Sequence, residues 1–221
     1  MHYLGGKSRY GREISFAVHS LAHNKLIYEP FCGALWVTQW LQPIIASDIN
    51  VGLIELYQAI RNGWEPPDSI DEEEYRELHG RCIDGEQKPE ITFAGFAASW
   101  GGKWFGGYAR GDGRNYVAEN KKSLMDKMAR CRSVQFEVKH YSQLDVRNSV
   151  IYCDPPYAGT TQHCNFSTPE FWDWANKMSD SNNVVIVSEY KAPPGWKSIW
   201  MMQHFSSLET HPTLEQLWTK E

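Results

Sequence analysis

The sequence predicts an α/β fold built on a mostly parallel sheet. Short apolar runs bounded by turn-forming residues indicate buried strands at 25–31, 43–48, 150–153 and 184–188. Segments with helical spacing follow these runs at 35–41, at 51–61 and from 168 onward. Strands that alternate with helices in this way are typical of βαβ units, and therefore of a parallel sheet.

The first glycine turn lies near the start of the chain, in Tyr3-Leu4-Gly5-Gly6-Lys7. Gly-Gly-Lys-Ser resembles the end of a phosphate-binding P-loop, but Met1 stands where that motif needs a further glycine, and there is no room for its strand. We expect a turn that lets the backbone approach a ligand, with one cation and one aromatic ring beside it. On this stretch alone, a frayed N-terminus is the better interpretation.

A second glycine turn joins the first strand to the first predicted helix. Cys32-Gly33-Ala34 stands between strand 25–31 and helix 35–41, an order that brings a nucleotide-like ligand to a helix N-terminus. Strand 43–48 ends in Asp48, which is suited to bind ribose hydroxyls at the tip of the second strand of a βαβ unit. Asp48 also suits the N-cap of helix 51–61, and the two roles are compatible.

The regular alternation breaks down between residues 62 and 132. After an acidic helix expected near 71–80, the stretch 99–114 combines glycines that give backbone access, aromatic rings that can stack on bases and cations that can neutralise phosphates. Its DNA-binding candidates are Lys103, Trp104, Tyr108, Arg110 and Arg114. The alternative is a surface loop with a few packed aromatic rings. The basic face of the helical segment 121–132 predicts a solvated surface.

Asp154-Pro155-Pro156-Tyr157 directly follows the apolar strand 150–153. Ligands of open α/β sheets bind beyond the carboxyl ends of the strands, so an acid there is placed for chemistry. The two prolines stiffen the loop and remove two backbone donors, which leaves carbonyl oxygens free to accept hydrogen bonds. Asp-Pro-Pro is also a common way to end a strand, and a tyrosine beside it often only packs.

The remaining elements complete the sheet and flank this motif. A strand is expected at 133–138, and the loop 159–168 is expected to act as a lid or a DNA-contacting flap. A helix opens at Thr168-Pro169-Glu170 and carries Phe171, Trp172 and Trp174 into the core. Segments 198–201 and 214–219 predict an antiparallel pair at the edge of the sheet.

Composition excludes several classes of protein. Five cysteines without C-x-x-C spacing argue against a disulfide framework and a zinc site, so no metal is expected. No apolar run approaches the roughly 18 residues that span a membrane, and the N-terminus has no hydrophobic signal core, so we expect an intracellular, cytoplasmic protein. The net charge is −5, yet basic residues outnumber acids between 99 and 139, where contact with a polyanion is expected.

Taken together, these motifs resemble the Dam-type adenine-N6 DNA methyltransferases, which use S-adenosylmethionine. The resemblance rests on the aromatic-x-Gly-Gly-Lys element at 3–7, Glu29-Pro30-Phe31-Cys32-Gly33, the acid in Ser47-Asp48-Ile49-Asn50, and the tetrapeptide at 154–157. It departs from the family after Gly33, where a further glycine is common and this chain has Ala34 and Leu35. It covers nearly the whole chain in order.

The resemblance implies a Rossmann-like methyltransferase fold, with a mostly parallel seven-stranded sheet, an antiparallel edge strand and a small target-recognition insertion. Residues 1–61 and 133–221 would form the catalytic domain, and 62–132 the insertion. The implied catalytic residues are Asp154, Pro155, Pro156 and Tyr157. The implied cofactor-binding residues are Tyr3, Gly5, Gly6, Lys7, Pro30, Phe31, Cys32, Gly33, Asp48 and Asp154.

The implied reaction is methylation of an adenine that has been flipped out of DNA. Asp154 and the Pro155 carbonyl would accept hydrogen bonds from the amino group, and Tyr157 would stack on the base. The expected partner is double-stranded DNA, with no membrane partner; monomer and weak dimer both remain open. The same tetrapeptide chemistry serves cytosine N4 or RNA adenine, and a catalytically inactive DNA-binding relative is the alternative from another class.

Overall fold

A computed structural model describes residues 1–3, 5–42, 44–111, 113–157, 166–204 and 213–220. The described strands form one seven-stranded sheet in the order β3-β2-β1-β4-β5-β7-β6. The strands are β1 Ile27–Glu29, β2 Ile44–Asp48, β3 Gln135–Val138, β4 Val150–Cys153, β5 Val184–Ser188, β6 Trp196–His204 and β7 Thr213–Lys220. Every predicted strand is therefore confirmed, with shifts of a few residues at some ends.

Strand direction confirms the predicted sheet. Neighbours from β3 to β5 are all parallel, whereas β7 runs antiparallel to both β5 and β6. The antiparallel strand β7 thus lies one place in from the edge, and β6 is the edge strand itself. The carboxyl ends of β2, β1 and β4 meet at one edge of the sheet, because adjacent parallel strands end on the same side.

Helices cover both faces of the sheet. The described α-helices are α1 Gly11–Ala22, α2 Val51–Arg61, α3 Glu72–Ile83, α4 Pro89–Ala97, α5 Tyr116–Arg130 and α6 Thr168–Asp180. Successive residues of β4 belong to opposite cores: Val150 and Tyr152 pack with the main core, and Ile151 and Cys153 pack with the α6 side. This is the alternation expected of a strand that is buried on both faces.

The helix predicted at 35–41 is wrong. Leu35 has φ of 62° and Gly33 has φ of 43°, and the only regular structure among 35–41 is a 3₁₀ turn at Thr38–Trp40. A left-handed backbone at Leu35 cannot continue a right-handed helix. The side chain of Leu35 is fully buried, so burial in the core outweighs the local preference for helix.

The segment 62–132 packs onto the rest of the protein through the main core. α4 contacts α2, α3 and α5, and the core cluster includes Leu53 of α2, Phe93 of α4 and Leu124 of α5. The expected acidic helix is α3, and it begins with Asp71 as its N-cap. The glycine-rich turn near 100–107 is closed by a bridge between Ser99 and Tyr108. Target recognition by this segment stays a prediction.

The helix that was predicted to open at Thr168 is α6. α6 buries Phe171, Trp172 and Trp174 as predicted. Residues 159–165 of the proposed lid at 159–168 lie outside the described residues. Among the helices of the described chain, none is both long and apolar enough to cross a membrane.

Candidate active site

Three carboxylates lie at the tips of adjacent parallel strands. Glu29 ends β1, Asp48 ends β2, and Asp154 follows β4 directly. Asp154 and Asp48 each raise the pKa of Glu29 electrostatically, in addition to the larger effect of burial. The edge of the sheet predicted to hold the ligand therefore carries a concentration of acidic groups.

Asp48 links the glycine turn to the start of α2. Its two oxygens accept the backbone N–H groups of Gly33 and Asn50, each at 2.9 Å. The N-cap of α2 is Asn50 rather than Asp48, because the Asn50 side chain accepts the N–H of Leu53. The turn is also held from the other side, where the Tyr57 hydroxyl donates to the Gly33 carbonyl at 2.5 Å.

Glu29 is the first residue of the sequence motif at 29–33, but it was not predicted to belong to the cofactor site. It is 2% exposed, and its Oε2 has no hydrogen-bond partner among the described residues. Burial, together with Asp154 and Asp48, raises the pKa of Glu29 well above its ordinary value, although the nearby Thr38 hydroxyl opposes this shift. An unsatisfied buried carboxylate is costly. The signal available in the sequence was an acid at the end of a buried strand.

Lys7 forms an ion pair with Asp154. Its Nζ lies 2.8 Å from Asp154 Oδ1 and 3.6 Å from Glu215 Oε1, and it donates to the Gly5 carbonyl at 3.3 Å. Burial by itself lowers the pKa of Lys7, but Asp154 and Glu215 together raise it above the ordinary value. Burial raises the pKa of Asp154 to about 6, with Glu215 acting in the same direction and Lys7 opposing it.

Tyr157 lies in a cluster of polar groups next to Asp154. Its hydroxyl contacts Ser188 Oγ at 2.7 Å and donates to Glu215 Oε1. Lys7 Nζ stands 4.5 Å from the centroid of its ring, and the ring of Tyr190 meets it edge-on at 4.7 Å. The predicted base-stacking residue is thus 8% exposed. Glu215 carries no local sequence motif, so sequence reasoning did not identify it.

The N-terminal turn lies against the second glycine turn. A Cβ added to Gly33 would stand 3.5 Å from Tyr3 Cε1, so the Tyr3 ring covers this glycine. Gly5 has φ of 78°, and a Cβ on Gly6 would lie within 3.0 Å of the Trp36 indole. The structure therefore brings the cofactor candidates Tyr3, Gly5, Gly6 and Lys7 to Gly33 and Asp154, although they precede them by at least 26 residues.

Pro30, Phe31 and Cys32 connect β1 to Gly33. Phe31 stacks on Tyr141 at 5.4 Å between ring centroids and packs edge-on against Phe171, in the core on the α6 side. Cys32 is buried, and its N–H donates to the Ser47 carbonyl at 3.0 Å. In this structure the two side chains hold the turn in place by packing.

The predicted DNA-binding residues form a separate group on 99–114. Arg110 pairs with Glu72, and Arg114 pairs with Glu119, each at 2.5 Å on the surface. The Tyr108 hydroxyl donates to the Ile70 carbonyl at 2.8 Å, and Trp104 packs against Phe96. Lys103 is exposed. Exposed ion pairs of this kind are weak, so both arginines can exchange a carboxylate for a phosphate.

A family model described as D12 class N6 adenine-specific DNA methyltransferase matches residues 3–81 and 102–182. The chain belongs to this family. The matched segments contain the N-terminal turn, Gly33, Asp48 and the tetrapeptide 154–157, and S-adenosylmethionine is the methyl donor of the family. The predicted family is therefore confirmed.

Individual relatives are more distant. The Type II methyltransferase M.FokI of Planomicrobium okeanokoites is 29% identical over 100 residues, which cover 45% of this chain and 15% of that protein. A putative RNA methyltransferase of Pyrococcus horikoshii has a TM-score of 0.45 at 9% identity, covering 95% of this chain and 82% of that one. Magnesium protoporphyrin IX methyltransferase of Synechocystis PCC 6803, with bound SAM, has a TM-score of 0.43 at 9% identity, covering 99% and 81%.

The residues at the strand tips fit S-adenosylmethionine. That molecule carries a sulfonium and an ammonium group, and Glu29, Asp48 and Asp154 surround the glycine turn with carboxylates. The unpartnered Glu29 Oε2 is a buried acceptor suited to a cation. Each Asp48 oxygen accepts one backbone N–H and keeps a further lone pair for a hydroxyl donor.

Proposed function

We propose that this chain transfers a methyl group from S-adenosylmethionine to the N6 amino group of an adenine flipped out of double-stranded DNA. Membership of the D12 class supports the reaction type. The observation that carries the proposal is the position of Asp154 at the end of β4, on the strand adjacent to the one that leads into Gly33. Its side chain is 19% exposed, so a substrate can reach it.

Asp154 makes the amino group a better nucleophile. The lone pair of an exocyclic adenine nitrogen is delocalised into the ring, and two acceptors on its N–H groups favour the tetrahedral form. Asp154 supplies one acceptor, and the Pro155 carbonyl supplies the other. Positive charge develops on this nitrogen during attack, and a carboxylate fixed beside it stabilises that charge without reorganisation.

When bound, the cofactor would supply a methyl group activated on a sulfonium sulfur, with a neutral thioether as the leaving group. Glu29, Asp48 and the Gly33 backbone would hold it beside Asp154, with the Tyr3 ring and Lys7 at the other side of the turn. The amino nitrogen loses one proton to solvent after the transfer. Orientation of the two reactants at adjacent strand tips removes much of the entropic cost of their encounter.

The target base would be held by Tyr157 and the DNA by the segment 99–114. Stacking on an aromatic ring is the usual way in which a flipped base is kept in such a pocket. Lys103, Arg110 and Arg114 would contact phosphates, and Trp104 and Tyr108 would contact bases or sugars. The exposed position of the three cations supports this assignment.

The test is Asp154→Asn, which keeps the shape of the side chain and removes its charge. We expect methyl transfer to duplex DNA to fall by at least about 10²-fold, while S-adenosylmethionine still binds in calorimetry. The matched control is Asp145→Asn, an exposed aspartate nine residues earlier, which should keep wild-type turnover.

Nucleoside mass spectrometry of the digested product identifies the methylated atom. N6-methyladenine from duplex DNA supports the proposal. N4-methylcytosine, methylation of RNA alone, cofactor binding without any transfer, or full activity of the purified Asn variant would each refute it.

A further inference from the structure

Lys7 lies between two carboxylates that come from opposite ends of the chain. It stands 2.8 Å from Asp154 and 3.6 Å from Glu215 on β7. Its side chain is 7% exposed and that of Glu215 is 6% exposed, so the ammonium group cannot simply move out into water. If Lys7 leaves Asp154, Glu215 is the other carboxylate that pairs with its ammonium group among the described residues.

Glu215 is held rigidly by neutral donors. Its Oε1 accepts hydrogen bonds from Ser188 Oγ at 2.7 Å and from the Tyr157 hydroxyl. Its neighbour Leu217, on the same face of β7, is fully buried in the main core. The carboxylate therefore has a fixed position beside Lys7 and Tyr157.

The proposed reaction creates a conflict at Lys7. An ammonium group 2.8 Å from Asp154 neutralises the charge that should stabilise the substrate nitrogen. It also repels the positive charge that develops on that nitrogen during attack, and such repulsion is strong at short range away from bulk water. Catalysis is favoured if Lys7 moves away from Asp154 when the amino group arrives.

We propose that Glu215 is a positioning residue that receives the ammonium of Lys7 when the substrate amino group takes its place on Asp154. This inference rests on the proposed function. The difference between the two distances is small, so rotation of the lysine side chain suffices for the exchange. The ammonium stays paired throughout, and no covalent bond or proton transfer is involved.

The exchange predicts a specific pH signature. Glu215 raises the pKa of Asp154 and Lys7 lowers it, beyond the larger effect of burial. Removal of the Glu215 charge should therefore lower the pKa of Asp154. The titratable groups coupled to Asp154, Lys7 or Glu215 in this cluster are Glu29, Tyr152, Cys153, Tyr157 and Tyr190.

The experiment compares Glu215→Gln, Glu215→Asp and Ser188→Ala. We expect Glu215→Gln to lower kcat about tenfold, because Lys7 then stays on Asp154, and to shift the acidic limb of the kcat profile to lower pH. Glu215→Asp keeps the charge, so we expect it to retain most of the wild-type kcat and to keep the acidic limb near its wild-type pH. Ser188→Ala removes a neutral hydroxyl from the same cluster and should leave the acidic limb in place.

A measurement without substrate separates this inference from the proposed function. NMR titration of ¹³C-labelled aspartate in the cofactor-free protein, with Asp154→Asn for assignment, reports the Asp154 pKa directly. An unshifted Asp154 pKa in Glu215→Gln overturns the inference even if the wild type methylates adenine. Absence of methylation by the wild type refutes the proposed function instead.

A double-mutant cycle tests whether Glu215 acts through Lys7. In a Lys7→Gln background, Glu215→Gln should have little further effect on kcat, because no ammonium remains to be received. Equal losses in both backgrounds would overturn the inference. If Glu215→Gln does not fold, Lys7→Gln alone decides: it should raise the Asp154 pKa, and an unchanged value contradicts the exchange.

Discussion

At the scale of a single residue, burial and the proposed reaction favour opposite protonation states of Asp154. Burial disfavours its ionised form and raises its pKa to about 6, whereas the proposed reaction needs the carboxylate. Lys7 limits the shift by stabilising the charge at 2.8 Å. The result is a group that is mostly ionised at neutral pH and protonated in mild acid.

The wild-type pH profile should show this directly. We expect kcat/KM for duplex DNA to rise with pH through about 6 and to level off above 7, because the active form is the deprotonated Asp154. Initial rates between pH 5 and 8 at constant ionic strength measure it. An acidic limb near pH 4, the range of an ordinary aspartate, would contradict the role given to burial.

At the scale of elements, the N-terminal segment depends on the turn at Trp100–Gly102. A Cβ on Gly102 would lie 2.5 Å from the carbonyl carbon of His2, whereas a Cβ on Gly101 would meet nothing within 4 Å. His2 is also held by α5, where its N–H donates to Asn120 Oδ1 at 2.5 Å. The turn and α5 thus fix the segment that carries Tyr3 and Lys7.

These adjacent glycines provide a matched pair of substitutions. Both have positive φ, 62° and 70°, so alanine costs about 1 kcal/mol of backbone strain at either position. Gly102→Ala also displaces the N-terminal segment, which should cost a further 1–3 kcal/mol or so and reduce methyl transfer. Denaturant unfolding and activity of the two variants test this; equal effects would show that the close approach does not matter.

At the scale of the whole molecule, Lys127 connects α5 to the segment after the glycine turn. Its Nζ donates to the Ala34 carbonyl at 2.5 Å and stands 3.8 Å from the centroid of the Trp36 ring. The sequence predicted a solvated basic face here, but Lys127 is 1% exposed. Burial lowers its pKa to about 7. The position that departs from the family, Ala34, is thus anchored from a helix 93 residues away.

Lys127 should make stability depend on pH. Its pKa is lower in the folded chain than in the unfolded chain, so between about pH 7 and 10 the unfolded chain binds more protons. The free energy of unfolding should therefore rise with pH in this window, by at most about 1.4 kcal/mol per pH unit. Lys127→Met should abolish the contribution of this lysine to the pH dependence of stability. Lys122→Met, at an exposed site on the same helix, should leave that pH dependence unchanged.

Urea unfolding at pH 7.0 and 8.5 for the three proteins provides the measurement. The range stays below the pH at which tyrosines titrate in the unfolded chain. An equal pH dependence in the wild type and Lys127→Met would show that this lysine keeps an ordinary pKa.

Much of the fold follows from short stretches of sequence. The strands, α2, the helix that opens near Thr168 and the antiparallel pair were predicted because hydrophobic periodicity and capping act over a few residues. The tetrapeptide at 154–157 and the turn at Gly33 were found for the same reason, because each is defined by a few consecutive residues. Among the predicted helices the exception was 35–41, where burial of Leu35 favours a left-handed backbone. The helices α1 and α4 were not predicted.

The sequence by itself determined the α/β architecture, the family and the carboxylate at the tip of β4. Only the tertiary structure decided which charges meet there: Lys7 with Asp154 and Glu215, Tyr157 with Ser188, and Lys127 with Ala34. These groups are separated by 31 to 208 residues, and their pKa values depend on burial and short distances. Both quantities exist only after the chain has packed, because electrostatic interactions depend on separation in space and not along the sequence.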